Sequence, residues 1–464
     1  MKRLLRSLRK GLHEAVRLVL GALPRRWRFA LFRRMVDCDP SPGPELQLKI
    51  ADTREELEAC FALLHDAYVA AGFMKPDPSG LRVTIYHALP TTTTLCAKVD
   101  DRVVGTISLI REGVFGFPLQ QAFDLGAVRA QEGQIAEVSA LAVHPDFRKT
   151  GGRILFPLMK FMYEYCTSYF DTRHLVIAVN PNKIELYESL LMFERLQAHV
   201  VENYDFANGA PAVGASLDLA GVRKRMKRLY GGRPLRRNLY HYFMKLRLPN
   251  IQAPARRYHT TNDPVMTGEL IDYFFNRRTQ AFAALDDRKK LLLRSIYDLD
   301  AYTPVLPTVT EVAKVSAALR RHQRYSIRCP ARFSVRLPDG TARVRLKVIE
   351  MSLTGCLVQC AYEIPAGVQG ELVVELGAGD HAVVPAAVVR RTTSDGDGYY
   401  GMRVLLPDAA WTACVHALEQ GQTHADLERL SQPMPLTEPG DLDDGLGDAS
   451  SVAGSRSRST APMP

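Results

Sequence analysis

The 464-residue sequence has eight cysteines, no C-x-x-C pair and only two tryptophans. The cysteines do not cluster, which argues against a disulfide scaffold and for a reducing, cytoplasmic compartment. No apolar run approaches the ~20 residues that a membrane-spanning helix requires. No G-x-S-x-G run occurs, so no serine nucleophile on a strand-to-helix elbow is announced. Internal repeats are absent too. The composition, 46% hydrophobic and 24% charged, excludes a wholly disordered, collagen-like or coiled-coil chain.

Positive charge is present, but in one place. The formal net charge is +10, from 60 Lys and Arg against 50 Asp and Glu. Residues 1–34 carry eleven Lys or Arg and one acid, Glu14, so this segment holds the whole excess. A nucleic-acid binder spreads its charge over a folded face, and no DNA partner is expected. Leu4, Leu5, Leu8, Leu12, Val16 and Val19 recur at near-helical spacing among the cations, up to Pro24. Trp27, Phe29 and Phe32 follow. The arginines continue through Arg17, unlike a cleaved signal peptide. Two readings stay open: a helix lying on an anionic membrane surface, peripheral to the inner membrane, or on an acidic partner; and a solvated basic helix packed on its own domain.

Composition divides the rest. Residues 1–45 read as a basic arm and linker, closed by Pro40-Ser41-Pro42-Gly43-Pro44, and 46–230 as alternating strands and helices. Residues 231–318 read as a basic, helical connector, with the stretch 261–300 helical. A basic block, 221–257, has twelve Lys or Arg and no acid. Residues 319–421 are β-rich, and 422–464 end in a Pro-, Gly-, Asp- and Ser-rich tail expected to be disordered. The fold class is α+β, a mixed central sheet with helices, followed by an antiparallel β-barrel.

Residues 95–110 predict two strands joined at Asp100–Asp101, and 134–144 a further strand. A period of two places Ile135, Glu137, Ser139, Leu141 and Val143 on one face. A carboxylate in so apolar a strand is costly unless solvated, paired or used. Arg148, Gly151, Gly152 and Arg153 follow, then an apolar run from Ile154 to Tyr165. Strand, glycine-containing basic loop, then helix is an arrangement that suits a phosphate. A strand His174–Val179, Asn180-Pro181, Tyr187 and Phe193 come next.

This order resembles the GNAT acyltransferases, whose loop pattern is matched at Arg148 and Gly151. Arg153 stands where the family has a small residue, and a cation there could meet the single phosphate of a phosphopantetheine arm. Within the superfamily the chain is most similar to the long-chain N-acyl amino acid synthases, cousins of the autoinducer synthases. Tyr68 with Gly72, Tyr86 before Pro90, Gly105-Thr106, Phe117-Pro118 and Glu137-Val138-Ser139 carry the resemblance over roughly residues 48–230. It implies an acyl-phosphopantetheine donor, on acyl carrier protein or as acyl-CoA, and an amino acid acceptor. Glu137 is the candidate base for the α-ammonium group. Ser139 is a candidate for orienting substrate, and Tyr187 for protonating the leaving thiol. Each also has a structural reading: a hydrogen-bonded strand carboxylate, a structural serine, a core tyrosine. The basic block has a functional reading, steering an acidic carrier protein, and a bland one, a solvated linker.

In the β-rich region Val344, Leu346 and Val348 alternate with cations, and Gly370–Leu376, Ala382–Val389 and Tyr399–Leu405 read as later strands. Arg320, Arg321 and Arg324 precede it, and Glu350-Met351-Ser352-Leu353-Thr354-Gly355 lies within it. These resemble the two PilZ signatures, Arg-x-x-x-Arg and Asp/Asn-x-Ser-x-x-Gly, with Glu350 in place of the shorter acid or amide. The resemblance implies cyclic di-GMP as ligand, held by Arg320, Arg321, Arg324, Glu350, Ser352 and Gly355. Arginine suits it, since its planar fork can bond guanine edges or phosphates and stack on a base. Cys356 and Cys360 read as packed thiols, and no metal site is expected. The combined expectation is an N-acyltransferase controlled by cyclic di-GMP. The alternatives are an inactive cyclic di-GMP effector whose first domain only binds lipid or a partner, and an acetyl-CoA-dependent acetyltransferase.

Overall fold

The computed structural model describes residues 23–419, except 114, 132, 149, 171, 255–257, 261–265, 298–301, 310–324, 338–339 and 392–397. The amphipathic pattern before Pro24, Arg320, Arg321, Arg324 and the tail therefore lie outside the described residues.

Local signals set the first elements. Pro24 precedes a helix, α1 (Arg25–Arg34), and strand β1 (Leu46–Ile50) follows the proline-rich linker. In α2 (Arg54–Ala71) the Thr53 side chain accepts from the Glu56 N–H, two acids fill the first turn, and Gly72 at φ +77° ends the helix. Strands β2 (Thr92–Val99) and β3 (Arg102–Arg111) are joined by Asp100 and Asp101, both at positive φ, as a tight hairpin requires. Then come β4 (Gln134–Val143), α3 (Leu155–Tyr169), β5 (Thr172–Val179) and α4 (Pro181–Leu186), which continues as a wider π turn, Tyr187–Leu191. Strands β6 (Glu194–Arg195), β7 (Val201–Tyr204) and β8 (Ala210–Asp218) precede helices α5 (Leu219–Tyr230) and α6 (Leu239–Met244).

The sheet order is β1-β2-β3-β4-β5-β8-β6, with β7 on β8. It is mixed. Its parallel pair is β4–β5, joined by α3, because parallel neighbours need a crossover. Leu57, Phe61 and Leu64 of α2 pack with Phe117, Phe123 and Phe274 in one core; Leu158, Phe161 and Tyr165 of α3 pack with Val222 in another.

One expectation fails inside β4. Ala140 has φ +55°, and two residues there oppose one of β3, since Ser139 pairs Ser108 but Ala142 pairs Thr106. This bulge inverts the alternation. Ala142 joins the core holding Ile135, whereas Leu141 and Val143 pack with Ala136 and Val138 in the other. Leu141 and Val143 are thus not on the face of Glu137. The stretch 261–300 is not one helical run either. Gly268–Ile271 passes into Asp272–Arg278, Thr279 is extended, and α7 (Asp287–Ile296) starts afresh at its Asp286 cap. The break lets Phe282 stack on Phe275 at 4.8 Å.

Strands β9 (Tyr325–Leu337), β10 (Gly340–Ser352), β11 (Gly355–Cys360), β12 (Gln369–Gly377), β13 (Asp380–Arg391) and β14 (Gly398–Val404) close into an antiparallel barrel, ordered β10-β11-β14-β13-β12-β9. Closure leaves no exposed sheet edge. Leu346 and Val348 face its core as their alternation predicts, and helix α8 (Ala409–Glu419) buries Trp411 against it. All eight cysteines are buried thiols, none in a disulfide.

Candidate active site

The site starts where β4 and β5 part. They pair from Gln134–Thr172 to Glu137–Val176 and no further, because the bulge turns β4 away. Past that point the two strands leave a cleft between Val138–Leu141 and Ile177–Asn180. Two cavities open on it. The larger, about 730 Å³, is lined by apolar side chains such as Ile107, Met159, Met162, Leu191, Val222 and Met226. The smaller, about 70 Å³, holds Glu137, Tyr204 and Phe206. Tyr68, Phe73, Ser139 and Asn180 line both, so the cavities meet at Ser139.

Glu137 is 2% exposed and accepts from the Leu119 N–H at 3.0 Å. That donor exists because Pro118 opens a short 3₁₀ turn, whose first N–H groups have no partner of their own. Burial pushes the Glu137 carboxyl up to about 8, against the partly offsetting bonds from Leu119 and Ser139. A carboxyl so poised can exchange a proton near neutrality. The hydrogen-bonded strand carboxylate is therefore present, and a proton exchangeable near neutrality is compatible with it. Tyr187 lines the larger cavity, edge-on to Phe193 at 6.0 Å. Its hydroxyl is raised by burial and by neighbouring Tyr68, and so stays a proton donor.

The glycine loop joins β4 to α3, and Arg148, Gly151, Gly152 and Arg153 line neither cavity. Arg148 folds back to donate to the Val143 carbonyl at 2.7 Å. Gly151 and Gly152 have φ +70° and +88°, and a Cβ on Gly152 would stand 2.5 Å from the Phe156 ring. Helix α3 follows with no side chain capping its N-terminus; Phe156 N–H bonds the Gly152 carbonyl and Pro157 has no N–H, so Leu155 is the first-turn amide left for a phosphate. Arg153 pairs with Glu45 at 2.8 Å, and both are exposed enough for that pair to be weak and exchangeable. Gly105 completes the packing here, since a Cβ on it would meet Ile154 at 2.8 Å.

Two further features frame the cavity. On α5, Val222 and Met226 line it while Arg223, Lys224, Lys227 and Arg228 are exposed, so one helix is apolar inside and cationic outside. On α1, Arg25 and Arg28 bond Glu188 and Glu185 on and beside the π turn, and Trp27 is 60% exposed. The sequence reading missed Phe73, Arg82, Tyr204 and Phe206. They sit in loops and a four-residue strand, where no periodicity marks them.

In the barrel, Ser352 pairs with Gly355 across a two-residue hairpin, and its hydroxyl donates to the Gly355 carbonyl at 3.0 Å. A Cβ on Gly355 would stand 2.7 Å from the Met402 carbonyl oxygen. Trp411 Nε1 donates to the Ser352 carbonyl at 3.1 Å. Glu350 follows a register shift after Val348 and pairs with Ser326 and Leu357. Ser352 and Gly355 thus have duties in the fold besides any toward a ligand. Among the described residues no cluster of His, Cys, Asp and Glu could hold a metal, and no helix is long and apolar enough to cross a membrane.

No curated protein matches the chain. Similar solved structures include FeeM, an N-acyl amino acid synthase from uncultured soil microbes (23% identity, 39% of this chain and 95% of that one, TM-score 0.34). A second is the CoA-dependent acyl-homoserine lactone synthase BjaI (21%, 45% and 92%, 0.32). A third is YcgR from Escherichia coli in complex with c-di-GMP (18%, 22% and 47%, 0.20). Residues 59–218 match the family of the N-acyl amino acid synthase FeeM, and residues 318–415 match the PilZ domain. The chain therefore joins an acyltransferase domain of the N-acyl amino acid synthase type to a C-terminal PilZ domain.

Proposed function

We propose that the first domain transfers a long acyl chain from the phosphopantetheine thioester of acyl carrier protein to the α-amine of an amino acid, and that cyclic di-GMP bound to the barrel controls the transfer. The observation that carries this reading is the meeting of two unlike cavities at Ser139, one large and apolar, one small and holding Glu137. The phosphate of the donor arm rests on Gly151, Gly152 and the α3 N-terminus, with Arg153 released from Glu45 to join it. The arm runs along the freed edge of β4, and the acyl chain fills the larger cavity. An acetyl group would leave most of that cavity empty, which favours a long chain over acetyl-CoA.

Glu137 takes one proton from the acceptor's ammonium group, and Ser139 orients the amine. The nitrogen attacks the thioester carbonyl carbon, and the C–S bond breaks as the tetrahedral intermediate collapses. The leaving sulfur takes a proton from Tyr187, which regains one from the nitrogen as the amide forms. Of three ammonium protons, one leaves through Glu137 to solvent, one ends on sulfur and one stays on the amide. The cationic outer face of α5 supports a carrier protein as donor, because carriers are acidic and this face lies directly over the acyl cavity. The exposed Trp27 on the cationic α1 supports contact with an anionic membrane surface, where a lipid product would be delivered.

Mass spectrometry of lipid extracts from cells expressing the chain tests the proposal. Acylated amino acids are expected, lost in Glu137→Gln while the protein stays folded, and changed in amount by raised cyclic di-GMP. Extracts lacking any such product would refute the transfer. Calorimetry with cyclic di-GMP, and its loss in the Arg320→Ala/Arg324→Ala protein, tests the barrel.

A further inference from the structure

A cation stacked on two of the rings that line the smaller cavity, and a phenol in its wall, are left unused by the chemistry above. Arg82 is held between two aromatic rings. Its guanidinium carbon lies 4.0 Å from the Tyr68 ring centre and 5.0 Å from that of Phe206, and one terminal nitrogen donates to the Phe206 carbonyl at 3.0 Å. Both rings line the cavity beside Glu137. Among the described residues no carboxylate pairs with Arg82. Stacking fixes the plane of a guanidinium and leaves its edge donors open, the presentation that grips a carboxylate with two parallel bonds. Tyr204 also lines the cavity. It is 5% exposed, and among the described residues its buried hydroxyl has no hydrogen-bond partner. A buried unpaired donor is costly in a folded protein and is explained if a ligand supplies the acceptor.

We infer that Arg82, assisted by the Tyr204 hydroxyl, binds the carboxylate of a free α-amino acid and so presents its amine to Glu137 and Ser139. This rests on the acyltransferase reading for the fate of the amine, but not for the binding of the acid. Electrostatics fit the geometry. Tyr204 feels both charges, Glu137 raising its hydroxyl beyond the effect of burial and Arg82 lowering it. A zwitterion placed there meets a cation at its carboxylate end and a carboxylate at its ammonium end. Simple amines and carboxamides lack the first contact, so the site selects free amino acids rather than amines in general.

Equilibrium binding to the purified full-length chain tests this, with each of the twenty amino acids set against its own carboxamide. At least one amino acid is expected to bind about 10–100-fold more tightly than its carboxamide, the worth of a charge-assisted contact. Arg82→Met should remove that preference while leaving carboxamide affinity unchanged, Arg82→Lys should restore part of it, and Tyr204→Phe should weaken the acid several-fold. Equal binding of acid and carboxamide by the unaltered chain, or an unchanged preference in Arg82→Met, overturns the inference. Failure of any free amino acid to bind does the same. The two proposals fail separately. An Arg82-dependent preference without acylated product from any thioester removes the transfer and keeps the site. Acylated product made with an Arg82-independent preference keeps the transfer and removes the site.

Discussion

The guanidinium of Arg328 donates to the Ser168 carbonyl at 3.0 Å and also bonds the Thr167 carbonyl. Arg328 lies on β9, the first barrel strand, and is 5% exposed; Ser168 lies in the last turn of α3, the helix that begins after the glycine loop. A cation over the last carbonyls of a helix satisfies acceptors that the helix cannot. Segment 258–260 reinforces the join, with the His259 N–H on the Leu376 carbonyl and Thr260 bridged to Ile327. The barrel is thereby fixed to the far end of the helix whose near end would hold the donor phosphate.

That contact predicts the route by which the proposed control would travel. Arg328→Met should keep cyclic di-GMP affinity within about threefold while bringing the ratio of turnover with and without ligand toward one. Loss of the buried charged bonds should cost about 1.5–3 kcal/mol. Calorimetry and turnover on the same protein check both, and an unchanged ratio would exclude this route.

The pH dependence follows from Glu137. With its carboxyl at about 8, only the minority ionised at pH 7 can act as base. The acceptor kcat/KM should rise nearly tenfold per pH unit below 7.5 and bend near 8. In Glu137→Gln any residual rate should lack that bend and follow the acceptor's own ionisation.

The same shift makes a stability prediction. The folded chain holds the Glu137 proton up to about 8, whereas the unfolded chain releases it near 4.5. Between those values the folded state binds more protons, so this contribution to stability is full below 4.5 and is lost as pH rises to 8. Glu137→Gln should therefore gain Tm relative to the unaltered protein at pH 8.5 and lose that advantage at pH 5. A constant difference across the range would mean the carboxyl is not shifted.

How much of this the sequence disclosed depended on how local the cause was. Glu137 was legible because a carboxylate in an apolar strand is conspicuous by itself. The barrel was legible because alternation and the Glu350–Gly355 signature are contained in short runs. The bulge at Ala140 was not, since it exists only in register with β3, and the cleft depends on it. Arg82 and Tyr204 are 122 positions apart and meet through the Phe206 ring, a link no pattern in the intervening chain announces. Arg328 is one cation among several on β9, and only its depth distinguishes it.

The glycine loop can be tested by adding one methyl group. Gly152→Ala places a Cβ 2.5 Å from the Phe156 ring at a φ of +88°, where an L side chain is strained. A cost of about 1–3 kcal/mol is expected, together with a raised donor KM and an unchanged acceptor KM. Gly232→Ala is the control, because nothing lies within 4 Å of its would-be Cβ. Equal effects at the two positions would remove any special role for the loop.

The larger cavity should set the chain length of the product. Each methylene buried there contributes about 0.8 kcal/mol, close to a fourfold change in kcat/KM. Selectivity should climb by that factor per methylene until the cavity is full, then stop. Met162 and Met226 are buried in its wall, and a larger side chain at either position projects into space the acyl chain would occupy. Met162→Trp and Met226→Trp should shift products toward shorter chains, with Arg82-dependent acceptor binding untouched because neither methionine lines the smaller cavity. Mass spectrometry of products from a graded series of donors reads the shift. An unaltered distribution in both variants would place the acyl chain elsewhere.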